Sequence, residues 1–109
     1  MIDGLWIMEF EGPKGVGGGV VVFTHGRALG GDNAFAYSGT FEIKGEQLAA
    51  TINVKNFNPS IHNVLGIPGD FDLVIAGRVE GEVIEATGHL LAHPDPKIVV
   101  RFRKLHDLE

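Results

Sequence analysis

Gly30-Gly31-Asp32, five residues ahead of Tyr37, is the first place in this chain where residue type and spacing could do chemistry. An aspartate held on a short turn can serve as a general base if a nucleophile or histidine lies within reach. No such partner is near in sequence. An aspartate after two glycines also accepts hydrogen bonds from nearby backbone N–H groups in a turn, and that is the role the spacing predicts. Gly15-Val16-Gly17-Gly18-Gly19 resembles a phosphate-binding loop in composition. Such a loop needs a helix after it, so that helical N–H groups meet the phosphate. Val20-Val21-Val22-Phe23 follows instead, which predicts a glycine-rich strand, bent or interrupted at Gly17-Gly18-Gly19 and open to close approach by another backbone or a ligand. His89 and His93 are four apart, which would suit one metal on a helix. On a strand that spacing is about 13 Å, too far for one ion to bridge. His25, His62 and His106 have no ligand spacing to a carboxylate pair. The sequence therefore assigns no catalytic, metal-binding or cofactor-binding residue.

The elements that must position these groups are strands. From Phe35 to Lys44 every second residue is large and apolar (Phe35, Tyr37, Phe41, Ile43), with Gly39 as the one gap, while Ser38, Thr40, Glu42 and Lys44 lie between. That period of two gives one dry face and one wet face. It recurs over Leu5–Phe10, Val16–Thr24, Arg27–Gly31, Leu48–Val54, Phe71–Val79, Glu82–Ala92 and Lys97–Leu105, punctuated by turn signals at Gly12-Pro13, His25-Gly26, Gly45-Glu46, Pro68-Gly69, Gly81 and His93-Pro94. Asn58-Pro59 is an N-cap with proline at the first helical position, and Gly66 suits the other end. One or two helical turns are expected near 59–65, with Ile61, Val64 and Leu65 facing the barrel. The predicted fold is all-β: a small eight-stranded antiparallel up-and-down barrel, closed so that no edge is left exposed. Its inward residues are expected to include Trp6, Phe35, Tyr37, Phe41, Ile52, Leu73 and Phe102, which are the candidate lining of a ligand cavity. Gly39 and Ala50 are expected to leave space beside them.

The chain has 109 residues, enough for one domain with one core. Hydrophobic residues make up 44% and charged residues 21%, which excludes a disordered chain. There are 16 glycines, too many for a helical protein. Net charge is −5, and the one basic cluster, Arg101, Arg103 and Lys104, alternates with apolar residues, so nucleic-acid binding is not expected. There is no cysteine, no basic and apolar leader and no run long enough to span a membrane, so a cytoplasmic location is expected. Leu108-Glu109 matches the start of a cloning-derived tag, which leaves residues 1–107 as a single barrel domain.

Once these strands are placed, a family resemblance emerges. Asp3-Gly4-Leu5-Trp6 opens the first strand. Gly30-Gly31-Asp32 and Tyr37-x-Gly39 follow, then Asn58-Pro59-Ser60-Ile61-His62-Asn63-Val64-Leu65 and Asp70-Phe71-Asp72-Leu73-Val74-Ile75. In that order they resemble the GrlR family, repressors of the enterobacterial type III secretion regulon. The resemblance implies a small lipocalin-like barrel with an apolar interior, found as a dimer. It also implies a regulatory protein partner, engaged in the family through an acidic Glu-Asp-Glu-Asp hairpin. The matching hairpin here is Ile43-Lys44-Gly45-Glu46, in which Glu46 alone keeps the charge. Gly4-Leu5-Trp6 is also similar to the Gly-x-Trp of lipocalins.

Val20-Val21-Val22-Phe23 is apolar on both faces, so it needs cover on both. The barrel covers one face, and a partner subunit or the helical segment covers the other; with Val74 and Ala76 making the outer face of the sixth strand less polar too, a homodimer is expected, with Val21 and Phe23 as partner-contact residues. The family resemblance adds Glu46, of the matching hairpin, as a partner-contact residue. The expected function is non-enzymatic binding or regulation, through an apolar small molecule in the barrel or a protein partner, with no cofactor. The alternative is a small enzyme with an acid or base at the barrel mouth.

Overall fold

The computed structural model describes residues 2–12, 15–58, 60, 70–91 and 98–108. Its strands are β1 (Gly4–Gly12), β2 (Gly15–Thr24), β3 (Arg27–Gly31), β4 (Phe35–Lys44), β5 (Gln47–Asn56), β6 (Phe71–Glu80), β7 (Val83–Leu90) and β8 (Ile98–Asp107). Each pairs antiparallel with the next, and β8 pairs back onto β1, closing the barrel. The predicted helical segment, with Ile61, Val64 and Leu65, lies outside the described residues, as does His93.

Period two becomes inside and outside. Along β5, Leu48, Ala50, Ile52 and Val54 are buried, while the residues between them are exposed. The interior holds Trp6, Met8, Phe23, Tyr37, Ile52, Leu73, Ile84 and Phe102, each at most 2% exposed, and no buried residue is charged or polar among those described. Fully burying one such apolar side chain stabilises the fold by about 1.5–3 kcal/mol. Phe23 is the hub of an aromatic cluster. Its ring centroid lies 5.9 Å from Trp6, 5.0 Å from Phe41 and 5.5 Å from Phe102, with edge-to-face or tilted geometry. Such pairs add about 0.5–1.5 kcal/mol beyond their burial. The outer wall carries the charges, among them Glu42, Lys44, Lys55, Arg78, Glu85, Arg101 and Arg103.

Three expectations need correction. Val21 and Phe23 are not on a partner-facing surface: both are 0% exposed. Val21 pairs with Trp6 and Phe23 with Gly4, whose parity closure points inward. Val20 and Val22 are the outward residues of that four-residue run. Second, β2 runs unbroken through Gly17-Gly18-Gly19, which pair with Phe10, Glu9 and Met8. Third, Gly39 leaves no space for a ligand. A Cβ built there would lie 2.0 Å from the Thr51 carbonyl oxygen and 2.8 Å from the Ile52 Cα, so the β5 backbone fills the gap. The glycine is required because β4 and β5 approach so closely.

Burial ranks the aromatic residues by cost. Phe23→Ala is expected to lose about 3–5 kcal/mol in urea unfolding, and Phe41→Ala, which is only half-buried, measurably less. Equal losses would place Phe41 in the sealed core.

Candidate functional site

In an up-and-down barrel, alternate turns and the chain termini gather at one end. Here that end holds three two-residue turns, His25-Gly26, Gly45-Glu46 and Gly81-Glu82, together with Ile2-Asp3. The turns are tight because their first residues take positive φ: His25 49°, Gly45 62° and Gly81 65°, with Gly26 also at 79°. That geometry matches the twist of the flanking strands.

A chain of hydrogen bonds runs round this mouth. The Asp3 Oδ2 accepts from the His25 N–H at 3.1 Å. The Phe41 N–H donates to the Gly26 carbonyl at 2.9 Å, the Val79 N–H to the Glu46 carbonyl at 2.8 Å, and the Lys104 N–H to the Glu82 carbonyl at 2.8 Å. Each turn is thus tied to the strand after the one it leads into. The Trp6 indole Nε1–H donates to the Ile2 carbonyl at 2.9 Å and folds the N-terminal residues over the barrel end. The Lys104 ammonium sits 5.8 Å from the centre of the Trp6 ring and pairs with Asp107.

Inside this ring lies a concavity of about 570 Å³. Ile2, Phe41, Ile43 and Val79 give it apolar walls, and Asp3, His25, Glu46 and the turn glycines form its polar side. Phe41 meets Phe23 edge-to-face, so the floor of the concavity is continuous with the aromatic core. Volume, apolar lining and a few convergent polar groups are the usual attributes of a small-molecule pocket. A depression of about 500 Å³ on the outer wall differs in being lined largely by Gln47, Arg78, Glu85 and Thr87.

Of the sequence-predicted cavity residues, Phe41 lines this mouth. Trp6 and Phe102 join it through Phe23 in the aromatic cluster. Phe35, Ile52 and Leu73 are buried on the inward parity but do not line the mouth. Glu46, expected as a partner-contact residue, lines the mouth and meets Arg78 at 3.4 Å. Sequence reasoning missed Ile2, Asp3, His25 and Val79. The signal was present in the turn parity: every second hairpin of a meander ends at the same rim.

Asp32 stands near the opposite end. Its Oδ1 accepts from the N–H groups of Ala34 and Phe35, both at 2.8 Å, and its Oδ2 accepts from the Tyr37 hydroxyl at 3.1 Å. Both oxygens are thus committed to the β3–β4 turn. Burial, then the Asp32 charge and hydrogen bond, push the Tyr37 phenol well above its ordinary value. His89 Nδ1 lies 2.9 Å from the Leu90 carbonyl. Among the described residues no group of three or more His, Cys, Asp or Glu side chains could hold a metal ion.

The outer wall has two further features. Val20 and Leu29 are exposed at 43% and 41%, and Leu5, Ile7 and Val22 lie beside them in register across β1, β2 and β3. In addition, β3 covers only Val20–Thr24 of β2, so Gly15–Gly19 of β2 is paired in register only with β1 among the described residues.

No protein-family model matches the chain, and no curated protein is significantly similar to it. Among the described residues no helix is long and apolar enough to cross a membrane.

Tyr37 is the one tyrosine of the chain, so its ionisation can be followed by ultraviolet absorbance without interference from another phenol. With the folded-state pKa raised, the native protein holds the proton more tightly than the unfolded chain. Its contribution to stability is complete below about pH 10 and is lost as pH rises above that value. Phenolate absorbance is expected to appear together with loss of far-ultraviolet dichroism. A phenolate signal near pH 10 in a folded barrel would contradict the Asp32–Tyr37 lock.

Proposed function

We propose that this protein is a non-enzymatic binding module that takes a small apolar molecule at the mouth formed by its three tight turns. The observation that carries this reading is the 570 Å³ concavity floored by Phe41 and walled by Ile2, Ile43 and Val79. The hydrogen-bonded ring of turns supports it, because a preformed rim spares a ligand the cost of ordering the loops. The engagement of both Asp32 oxygens in a turn favours binding over turnover. The resemblance of Gly30-Gly31-Asp32, Tyr37-x-Gly39 and their companions to the GrlR family supports a regulatory role. Charges on the outer wall around an apolar interior are the reverse of a membrane-spanning barrel and fit a protein in water; the lack of cysteine supports the cytoplasm as its compartment.

A second reading, contact with a protein, is favoured by the outward apolar patch of Val20, Val22, Leu29, Leu5 and Ile7. In this reading the patch is covered by a second copy of the chain, related by a two-fold axis.

Two experiments address these readings. 1-Octanol at a hundredfold excess over its Kd is expected to stabilise the fold by about 2.7 kcal/mol, read as a rise in Tm. Val79→Arg is expected to abolish that rise while leaving a folded barrel; a rise that survives the substitution would put the site elsewhere. For the second reading, Val20→Glu is expected to shift the protein from dimer to monomer in sedimentation. A wild type that is monomeric at tens of micromolar, about the range of weak association, would exclude the dimer.

A further inference from the structure

We infer that the mouth selects amphipathic molecules with a cationic head, such as an alkyl amine, over neutral or anionic molecules of the same length. The inference rests on the binding reading above and deepens it by naming the ligand class. The charges that face the concavity are one-sided: Asp3 and Glu46 line it, and no lysine or arginine does so among the described residues. Arg27 and Lys44, beside the turns, are exposed on the outer wall and do not line the concavity, and two other basic side chains at this end are committed elsewhere. Arg78 reaches Glu46 at 3.4 Å and Glu80 at 3.3 Å from the outer wall. Lys104 is turned onto Asp107 and the Trp6 ring.

Asp3 is the anchor. One oxygen, Oδ2, accepts the His25 N–H, which fixes the carboxylate at the rim; Oδ1 has no hydrogen-bond partner among the described residues and can accept from an ammonium. The residue is half-exposed and its bond to His25 is exposed, so its attraction for a cation is open to screening by salt. Glu46, exposed and already shared with Arg78, adds to the field more than to contact. The apolar tail then lies against Phe41 and Val79, where the turn glycines leave the entry open.

The test compares octylamine, 1-octanol and octanoate by calorimetric titration of the full chain at low salt. Octylamine is expected to bind about tenfold more tightly than 1-octanol, with octanoate weakest, and the preference is expected to shrink as salt is raised. Asp3→Asn keeps an acceptor for the His25 N–H and is expected to erase the amine preference while leaving 1-octanol binding in place. Glu46→Gln is expected to reduce it only in part. Equal binding of octylamine and 1-octanol, tighter binding of octanoate, or an unchanged preference in Asp3→Asn would overturn the cationic selectivity and leave the pocket standing. Failure of all three molecules to bind would overturn the pocket as well.

Discussion

Closure of the ladder between β1 and β8 is the constraint on which the rest of this structure depends. With eight strands, β8 must return to β1 in a register that puts apolar parity inside on both. It does so by pairing Trp6 with Lys104, Met8 with Phe102 and Phe10 with Val100, which keeps the inward parity of both strands. A one-residue slip of that register would turn Phe102 and Val100 to solvent. One irregularity follows at the strand end: Leu5 pairs with His106, so Leu105 is left over as a bulge. The register places Lys104 beside Trp6, where its ammonium lies over the indole and pairs with Asp107. The seam and the aromatic core are therefore built together.

The same closure creates the mouth. Once the strands form a ring, the tight turns must form a ring too, and each is pinned to a neighbouring strand by a backbone hydrogen bond. The aromatic cluster fills the cross-section just beneath, with Phe23 at its centre and Phe41 uppermost. The apolar character of the interior thus comes to the surface at the mouth, inside a rim held by backbone hydrogen bonds. The opposite end is organised differently. There Asp32 gathers two backbone N–H groups and the Tyr37 hydroxyl, a polar lock that holds a short connection in place.

Much of the fold was legible because β-strands write their burial into alternate residues. Phe35–Lys44 and Arg27–Gly31 have the observed bounds, and the two-residue turns at His25-Gly26 and Gly45-Glu46 stand where the residue types put them. Legibility failed where a stretch was uniform. Val20-Val21-Val22-Phe23 gives no parity of its own, and only its pairing with Trp6 settles that Val21 and Phe23 are interior. It failed again at glycine, whose missing side chain has two opposite meanings. Gly39 is a place where two backbones meet, not a vacancy, and the difference lies in the distance to Thr51, which composition does not encode. The turn role of Asp32 could be read locally, whereas the mouth could not. Ile2, Asp3, His25, Phe41 and Val79 are far apart in sequence and share a rim only through the strand order.

The most direct measurement is a two-dimensional amide correlation spectrum of the labelled protein, recorded while 1-octanol is added. A site at the mouth predicts concentration-dependent shifts gathered on Asp3, His25, Gly26, Gly45, Glu46 and Gly81, which line it or form its turns. Shifts centred instead on Asp32, Ala34 and Phe35 at the other end, or a spectrum that does not change, would contradict a ligand site at the mouth.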